Sequence, residues 1–138
     1  MGILRCNNRR MTAVWGPSLW GAIHSFTLVY PLSPSEADKQ HAANYFNTLP
    51  IPCGSCMVKY KQMLAVNPVE AALDSRAALV TWAFDVHNEV NDSIGKVRFT
   101  TDEFIVKYGV TLTEDGEPCP SLGTRLVGNA VWLWQSRR

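Results

Sequence analysis

The sequence has no strong surplus of charge of either sign. Its 13 basic and 12 acidic residues leave a formal net charge of +1. Nucleic-acid-binding domains usually carry a clustered basic surplus, so this balance argues against a nucleic-acid partner. Arginines cluster near the two ends, at Arg5, Arg9 and Arg10 and at Arg137 and Arg138, and we interpret these clusters as solvated.

Long apolar runs are also missing. The stretch 23–30 is interrupted by His24 and Ser25, and no apolar run approaches the roughly 18 residues that a membrane-spanning helix needs. Polar residues from Arg5 onward are unlike the apolar core of a secretory leader. We therefore expect no membrane partner and a cytoplasmic location.

Cysteine is scarce as well, since the chain has only Cys6, Cys53, Cys56 and Cys119. The chain has 138 residues, of which 46% are hydrophobic, and a single domain of this kind can bury a core without covalent staples. The closely spaced pair is therefore expected to serve redox or metal chemistry rather than to staple the fold.

Apolar spacing and capping signals predict a mostly helical chain. Residues 1–14 form a polar, irregular arm in this prediction, and Pro17 suits the first turn of a helix that runs to Tyr30. Ser33 is the predicted N-cap of a second helix, which ends where two prolines follow it. Cys53 should then begin a third helix.

The second half of the chain carries two further helix signals and then becomes less regular. Asp74 is the predicted N-cap of a fourth helix, and Gly95 should end it. Thr100 and Glu103 predict a capping box that opens a short helix. Beyond it, residues 111–123 are rich in glycine, proline and acidic side chains and predict a loop, followed by a short strand or packed tail over 126–134.

The pair Cys53 and Cys56 is the strongest chemical signal. Two intervening residues let the sulfurs close a small ring, and a helix N-terminus favours a thiolate through its unpaired N–H groups and dipole. Zinc sites and thioredoxin-like proteins share this spacing. Zinc needs a second ligand pair, whereas the other cysteines and the histidines are scattered. A thioredoxin-like site needs a preceding strand, whereas the pattern here is helical. We expect no metal.

A second polar set lies on the predicted fourth helix. His87 and Asn91 are four residues apart and share one face, with Asn88 beside them. Asparagine is unfavourable inside helices, so the set indicates ligands for a flat, hydrogen-bonding group, or else an exposed and capped helix end. Trp20 and His24 show the same spacing on the first helix, which equally suits a packed core.

The combination of C-x-x-C, the H-N-x-x-N set, W-x-x-x-H and Tyr30-Pro31 resembles the Erv/ALR family of FAD-linked sulfhydryl oxidases. The resemblance covers roughly residues 15–108, and the opening segment is similar to the forms of large DNA viruses. It implies an all-α fold, in which a four-helix bundle plus a short fifth helix holds FAD, with an irregular C-terminal tail. The implied divisions are an N-terminal arm over 1–14, an FAD-binding domain over 15–109 and an extension over 110–138.

The resemblance also assigns roles to residues. It implies that Cys56 is the thiolate facing the flavin and that Cys53 exchanges with partner thiols. Pro17 stands where many members have arginine, and Phe84 stands where some have a further cysteine. The implied FAD contacts are Trp20, His24, Tyr30, His87, Asn88, Asn91, Lys96, Lys107 and Tyr108.

The implied activity is disulfide formation in protein thiols or in a thioredoxin-like relay protein, with electrons passed to O2 to give hydrogen peroxide. Cys119 and Cys6 are then shuttle thiols, a bridge between the chains of a homodimer, or inert. For a viral protein the expected location is the host cytoplasm or the virion, and the mitochondrial intermembrane space is the alternative. A metal-binding module and an inactive assembly protein are the alternative functions.

Overall fold

A computed structural model describes residues 8–108, 110–112 and 118–120, with side chains over 12–108. The expected helical fold is confirmed. None of the described helices is long and apolar enough to cross a membrane. The elements are α1 (Asn8–Val29), α2 (Glu36–Asn47), α3 (Gly54–Val66), a short 3-10 helix (Val69–Ala72), α4 (Arg76–Ser93), α5 (Thr101–Tyr108), β1 (Val110–Leu112) and β2 (Pro118–Pro120).

The first helix is longer than the sequence predicts. It begins at Asn8, inside the expected irregular arm, and Pro17 lies within it rather than in its first turn. A proline inside a helix leaves the carbonyl four residues earlier without its usual partner. Here that carbonyl belongs to Ala13, and both Ala13 and Pro17 are exposed, so water can satisfy it. The prediction was wrong because it treated the proline as a start signal.

The N-cap of α2 lies two residues beyond the predicted one. Ser35, rather than Ser33, accepts a 3.2 Å hydrogen bond from the backbone N–H of Asp38. The Asp38 carboxylate accepts one of 2.8 Å from the backbone N–H of Ser35, which completes a capping box. These bonds to Ser35 lower the pKa of Asp38. An aspartate three residues after the N-cap therefore completes this box, where glutamate is the more usual residue.

The N-cap of α4 is Ser75, one residue after the predicted Asp74. Ser75 accepts a 3.1 Å hydrogen bond from the backbone N–H of Ala78. Asp74 instead accepts a 2.9 Å hydrogen bond from the Lys39 ammonium group on α2. The carboxylate therefore links α2 to the segment just before α4 across the surface, where such a pair stabilises the fold only weakly.

Two other helix signals are confirmed. Thr100 and Glu103 form the predicted capping box, with reciprocal hydrogen bonds of 2.8 and 3.2 Å. At the end of α4, Gly95 adopts φ 69, a left-handed conformation. The backbone N–H of Lys96 then donates to the carbonyl of Asn91 over 2.9 Å, which is the Schellman arrangement of a helix end.

The main core lies between the first four helices and centres on Phe46. Its ring is fully buried and meets Trp82 edge-on at 4.9 Å and Phe26 at 5.5 Å. The Tyr60 hydroxyl on α3 donates to the Phe46 carbonyl over 2.7 Å. The Trp82 indole donates to the Asn67 carbonyl over 3.0 Å. Burying one such aromatic side chain contributes about 1.5–3 kcal/mol.

A second, smaller cluster attaches α5 to α1 and α4. It consists of the buried residues Leu28 and Val80 together with Phe104 and Tyr108 from α5. Phe99, in the segment before α5, packs against its edge. This cluster covers the part of α1 that carries His24, because both Phe104 and Tyr108 contact that ring.

The segment after α5 contains a hairpin where the sequence predicts a loop. β1 pairs antiparallel with β2, and Thr111 lies opposite Cys119. The prolines at 118 and 120 suggested a loop, although proline is compatible with an edge strand. The tail predicted over 126–134 lies outside the described residues.

Two glycine substitutions should test these helix assignments. Gly95→Ala should lower the free energy of unfolding by about 1 kcal/mol, because an L side chain disfavours φ 69. Gly21→Ala, inside α1, should instead raise it by up to about 1 kcal/mol, since the added Cβ meets nothing within 4 Å. Urea unfolding followed by circular dichroism measures both. Changes of the same sign would contradict the proposed end of α4.

Candidate active site

The cysteine pair lies where the chain enters α3. Pro52 precedes Cys53, which takes an extended conformation with φ −158 and ψ 116 and acts as the N-cap. The Cys53 Sγ accepts a 3.3 Å hydrogen bond from the backbone N–H of Cys56. The two cysteines form a disulfide with Cα atoms 5.2 Å apart, within the usual range. The predicted start of this helix at Cys53 is confirmed.

The pair is accessible from one side. Cys53 and Cys56 are both half-buried, while Pro52, Gly54 and Ser55 around them are exposed. The Ser55 hydroxyl lies 3.4 Å from the Cys53 Sγ. A thiol from another molecule can therefore reach the disulfide, and α3 is a 13-residue helix whose N-terminus favours a thiolate after reduction.

An aromatic group joins α1 to α4 and α5. The Trp20 ring stacks on His87 with centroids 3.9 Å apart and planes 6° from parallel. His24 is fully buried and contacts Phe104 at 5.0 Å and Tyr108 at 4.8 Å. We call these five residues the aromatic cluster. The structure therefore brings together four predicted FAD contacts and adds Phe104.

Two histidines form the polar centre of the aromatic cluster. The His24 Nε2 and the His87 Nδ1 lie 3.0 Å apart, so one ring donates a hydrogen bond to the other. Burial lowers the pKa of His24 to about 3, and the charges of His87 and Lys107 add to this effect. Burial also lowers the pKa of His87 to about 4, with further contributions from Lys107 and Lys96. Both imidazoles are therefore neutral at neutral pH.

Two lysines place positive charge beside these rings. The Lys107 Nζ lies 5.5 Å from the ring centres of both Phe99 and Tyr108. Lys96 lies just beyond the end of α4, and its charge also acts on His87. Since the charges of both lysines lower the pKa values of the imidazole pair, the aromatic cluster lies in a positive electrostatic field that suits an anionic ligand.

The two asparagines serve the end of α4 in different ways. Asn88 is buried, and its side-chain NH2 donates to the Phe99 carbonyl over 2.9 Å. Its side-chain oxygen accepts from the Phe99 backbone N–H over 2.6 Å. Asn91 is also buried, and its backbone carbonyl receives the Lys96 N–H. Asn88 therefore holds the segment before α5 against α4.

The remaining predicted residues lie elsewhere or outside the described side chains. Tyr30 belongs to the main core, where its hydroxyl donates to the Leu73 carbonyl over 2.9 Å. Cys119 lies in β2, which borders α1 and α4, but its side chain is outside the described residues. Cys6 lies outside the described residues altogether.

Sequence reasoning missed Phe99 and Phe104. Phe104 had a usable signal, because it precedes Tyr108 by four residues on a predicted helix and so shares its face. Phe99 had none, since its place depends on the bonds that Asn88 makes to its backbone. Among the described residues, no group of three His, Cys, Asp or Glu side chains is arranged to hold a metal ion.

The aromatic cluster fits an aromatic cofactor that forms hydrogen bonds. Within the described part of the chain, the His24 Nδ1 and the Tyr108 hydroxyl are buried without a hydrogen-bond partner. Leaving such groups unpaired costs about 1–3 kcal/mol each, and a ligand with ring nitrogens or oxygens would pair them. The flat rings and the lysine charges suit FAD, which combines aromatic rings with a diphosphate.

The histidine pair should make the protein less stable in acid. Folded His24 and His87 have pKa values below the ordinary 6.5, so the unfolded chain binds more protons as the pH falls. Stability should be full above about pH 6.5 and fall toward the folded pKa values. His24→Gln should flatten this dependence between about pH 7 and 5, whereas His41→Gln, at an exposed position, should not. Urea unfolding midpoints measured at several pH values give this dependence. Identical slopes of midpoint against pH for the two variants would contradict the assignment of the acid sensitivity to His24.

Comparison with known proteins agrees with this geometry. Residues 17–109 match the sequence profile of the Erv1 / Alr family. A probable FAD-linked sulfhydryl oxidase of Acanthamoeba polyphaga mimivirus is 38% identical over 102 residues, which cover 72% of this chain and 71% of the relative. An FAD-linked sulfhydryl oxidase of Arabidopsis thaliana is 28% identical over 113 residues, which cover 80% of this chain but only 58% of the relative.

A solved structure shows the same fold. The crystal structure of the FAD binding domain of Erv1 from Saccharomyces cerevisiae superposes with a TM-score of 0.62 at 26% identity, and the match covers 67% of this chain and 88% of that one. The family match covers most of the described helices, including the cysteine pair and the aromatic cluster. The chain therefore belongs to the Erv1 / Alr family.

Proposed function

We propose that this protein is an FAD-dependent thiol oxidase that forms disulfide bonds in thiol-containing protein substrates. The observation that carries the proposal is the accessible Cys53–Cys56 disulfide at the N-terminus of α3. Membership of the Erv1 / Alr family and the names of the relatives, which are FAD-linked sulfhydryl oxidases, support the same activity. The enzyme class and cofactor predicted from the sequence agree with these relatives.

The aromatic cluster is the proposed FAD site. Trp20 and His87 offer flat faces, and the buried His24 Nδ1 and Tyr108 hydroxyl offer hydrogen bonds. When bound there, FAD supplies an acceptor for two electrons. In this proposal Asn91 also lines the site, and Lys96 and Lys107 place positive charge opposite the diphosphate of FAD. Asn88 supports the site through Phe99, and Tyr30 supports it through the main core.

The first chemical step is thiol–disulfide exchange at the accessible pair. A substrate thiolate attacks the Cys53 Sγ and forms a mixed disulfide, while the Cys53–Cys56 bond breaks. The electron pair leaves on the Cys56 sulfur, which becomes a thiolate at the third residue position of α3 counted from the N-cap. The dipole of α3 stabilises that charge. As the family resemblance implies, Cys56 is the flavin-facing thiolate in this proposal.

A second exchange releases the product. Another thiolate of the substrate attacks the substrate sulfur of the mixed disulfide, and the bond to Cys53 breaks. The substrate leaves with a new disulfide, and Cys53 and Cys56 are left reduced, holding the two electrons. Oxidation of this dithiol returns the pair to the disulfide that the structure contains.

The wider setting of the reaction is also proposed. O2 is the final acceptor, with hydrogen peroxide as the product, and a thioredoxin-like relay protein is an alternative donor of electrons. The protein acts as a homodimer. The proposed location is the cytoplasm, which for a viral protein means the host cytoplasm or else the virion, with the mitochondrial intermembrane space as the alternative. The mimivirus relative supports a viral origin.

The outer segments have assigned roles in the proposal. Residues 15–109 form the catalytic domain, with an arm before it and an extension over 110–138. Cys119 and Cys6 are shuttle thiols between the substrate and Cys53, with a bridge between two chains as the alternative.

The cysteine pair is tested by the spectrum and turnover of the purified protein. The protein should be yellow, and dithiothreitol in air should bleach the flavin absorbance, which then recovers as peroxide forms. Cys56→Ser should keep the colour and reduce turnover to the uncatalysed background, because the pair no longer forms. Cys6→Ser, as the control, should turn over dithiothreitol normally. A colourless folded protein that takes up no FAD would overturn the proposal.

The FAD site is tested by paired histidine substitutions. His24→Ala should weaken FAD binding about tenfold, or about 1.4 kcal/mol, because a buried hydrogen-bonding ring is removed. His41→Ala removes an exposed histidine on α2 and should bind FAD as the parent does. Fluorescence titration of the stripped protein with FAD measures both constants. Equal affinities would place the cofactor away from the aromatic cluster.

A further inference from the structure

We propose that Ser55 is a positioning residue for the exchange reaction: its hydroxyl donates to the Cys53 sulfur and stabilises that sulfur as a thiolate leaving group. The inference rests on the proposed oxidase function and adds a residue to it. Two donors converge on one sulfur, because the Ser55 Oγ lies 3.4 Å and the Cys56 backbone nitrogen 3.3 Å from the Cys53 Sγ.

The direction of the Ser55 hydrogen bond follows from the chemistry of the sulfur. A disulfide sulfur carries no proton, and neither does a thiolate, so the hydroxyl must be the donor in both states. Donation to a charged acceptor is stronger than donation to a neutral one. The Ser55 contact therefore strengthens when Cys53 becomes a thiolate, and it stabilises the reduced pair relative to the disulfide.

The cap of α3 differs from the other side-chain caps of the fold. At α2, α4 and α5, a serine or threonine oxygen accepts from the backbone of the first turn. At α3, the Cys53 sulfur is the accepting atom, and the nearby Ser55 hydroxyl donates a hydrogen bond to that sulfur. The hydroxyl at this helix start thus serves the sulfur rather than the backbone.

Ser55 has no evident structural task. Its side chain is exposed, and in the described region its hydroxyl makes no other hydrogen bond. The neighbouring Gly54 has no side chain, and a Cβ added there would meet nothing within 4 Å. The turn therefore tolerates changes at both positions, and the two can be compared directly.

The step that Ser55 assists is release of the oxidised substrate. A substrate thiolate attacks the substrate sulfur of the mixed disulfide and forms the product S–S bond. The bond to Cys53 breaks, and its electron pair moves to the Cys53 sulfur. Exchange is faster when the leaving thiol has a lower pKa, so hydrogen bonds to that sulfur speed release. Each substrate disulfide leaves two electrons in the reduced pair.

The test measures the thiolate of Cys53 without using turnover. In the full-length protein, Cys56→Ser leaves Cys53 as the single thiol of the pair and keeps the backbone N–H of residue 56. The rate of iodoacetamide alkylation against pH, read by mass spectrometry on the peptide containing Cys53, gives its pKa because the thiolate is the reactive form. In this background, Ser55→Ala should raise that pKa by about one unit. At pH values below the pKa, the fraction of Cys53 present as thiolate should then be roughly tenfold lower.

Two variants serve as controls in the same background. Gly54→Ala changes the adjacent residue of the turn and should leave the Cys53 pKa as in the parent. Ser55→Thr keeps a hydroxyl and should restore the parent value. An unmoved pKa in Ser55→Ala, or an equal shift in Gly54→Ala, would overturn the inference. If a threonine hydroxyl failed to restore the value, a direct hydrogen bond would likewise be refuted.

A second readout uses the intact pair. In a glutathione redox buffer, Ser55→Ala should shift the equilibrium of Cys53 and Cys56 severalfold toward the disulfide, because the reduced state loses its stabilising donor. An equilibrium identical to the parent's would contradict the inference. Neither measurement needs bound flavin. A colourless protein would thus refute the proposed function, while the Ser55 result would still decide the inference.

Discussion

The contact between α1 and α4 through Trp20, His24 and His87 is the interaction on which the site depends. The stacked indole and imidazole fix the spacing of the two helices, and the hydrogen bond between the imidazoles fixes their register. α5 then covers the pair with Phe104 and Tyr108. Removing these rings from water keeps both imidazoles neutral, and it leaves buried polar atoms that a bound ligand can pair.

Local signals predicted much of this arrangement. Helical spacing put Trp20 with His24, and His87 with Asn91, on common faces, and Gly95 marked the end of α4. The two shifted caps show the limit of such signals. Several serines and acids stood near each helix start, and long-range contacts such as that of Asp74 with Lys39 decided which side chain was available. Propensity alone carries no information about those partners.

The segment between α4 and α5 shows the same limit at the site itself. The sequence predicts Asn88 as a cofactor contact, and in the structure its amide group also holds the backbone of Phe99. Both interpretations of Asn88, as a cofactor contact and as a support for the backbone, begin from a buried polar side chain near a helix end. The difference lies in residues that become neighbours only after the chain turns at Gly95. A pattern of residue types identifies a polar position, but three-dimensional contacts determine whether it serves a ligand or the fold.

The atom that caps α3 is also the atom that undergoes redox chemistry. Reduction replaces a neutral capping acceptor with one that can carry a full negative charge at the positive end of the helix. Redox state and the local stability of the first turn are therefore thermodynamically linked, so that whatever frays this turn also makes the disulfide harder to reduce. The beginning of this helix therefore contributes directly to the redox equilibrium of the protein.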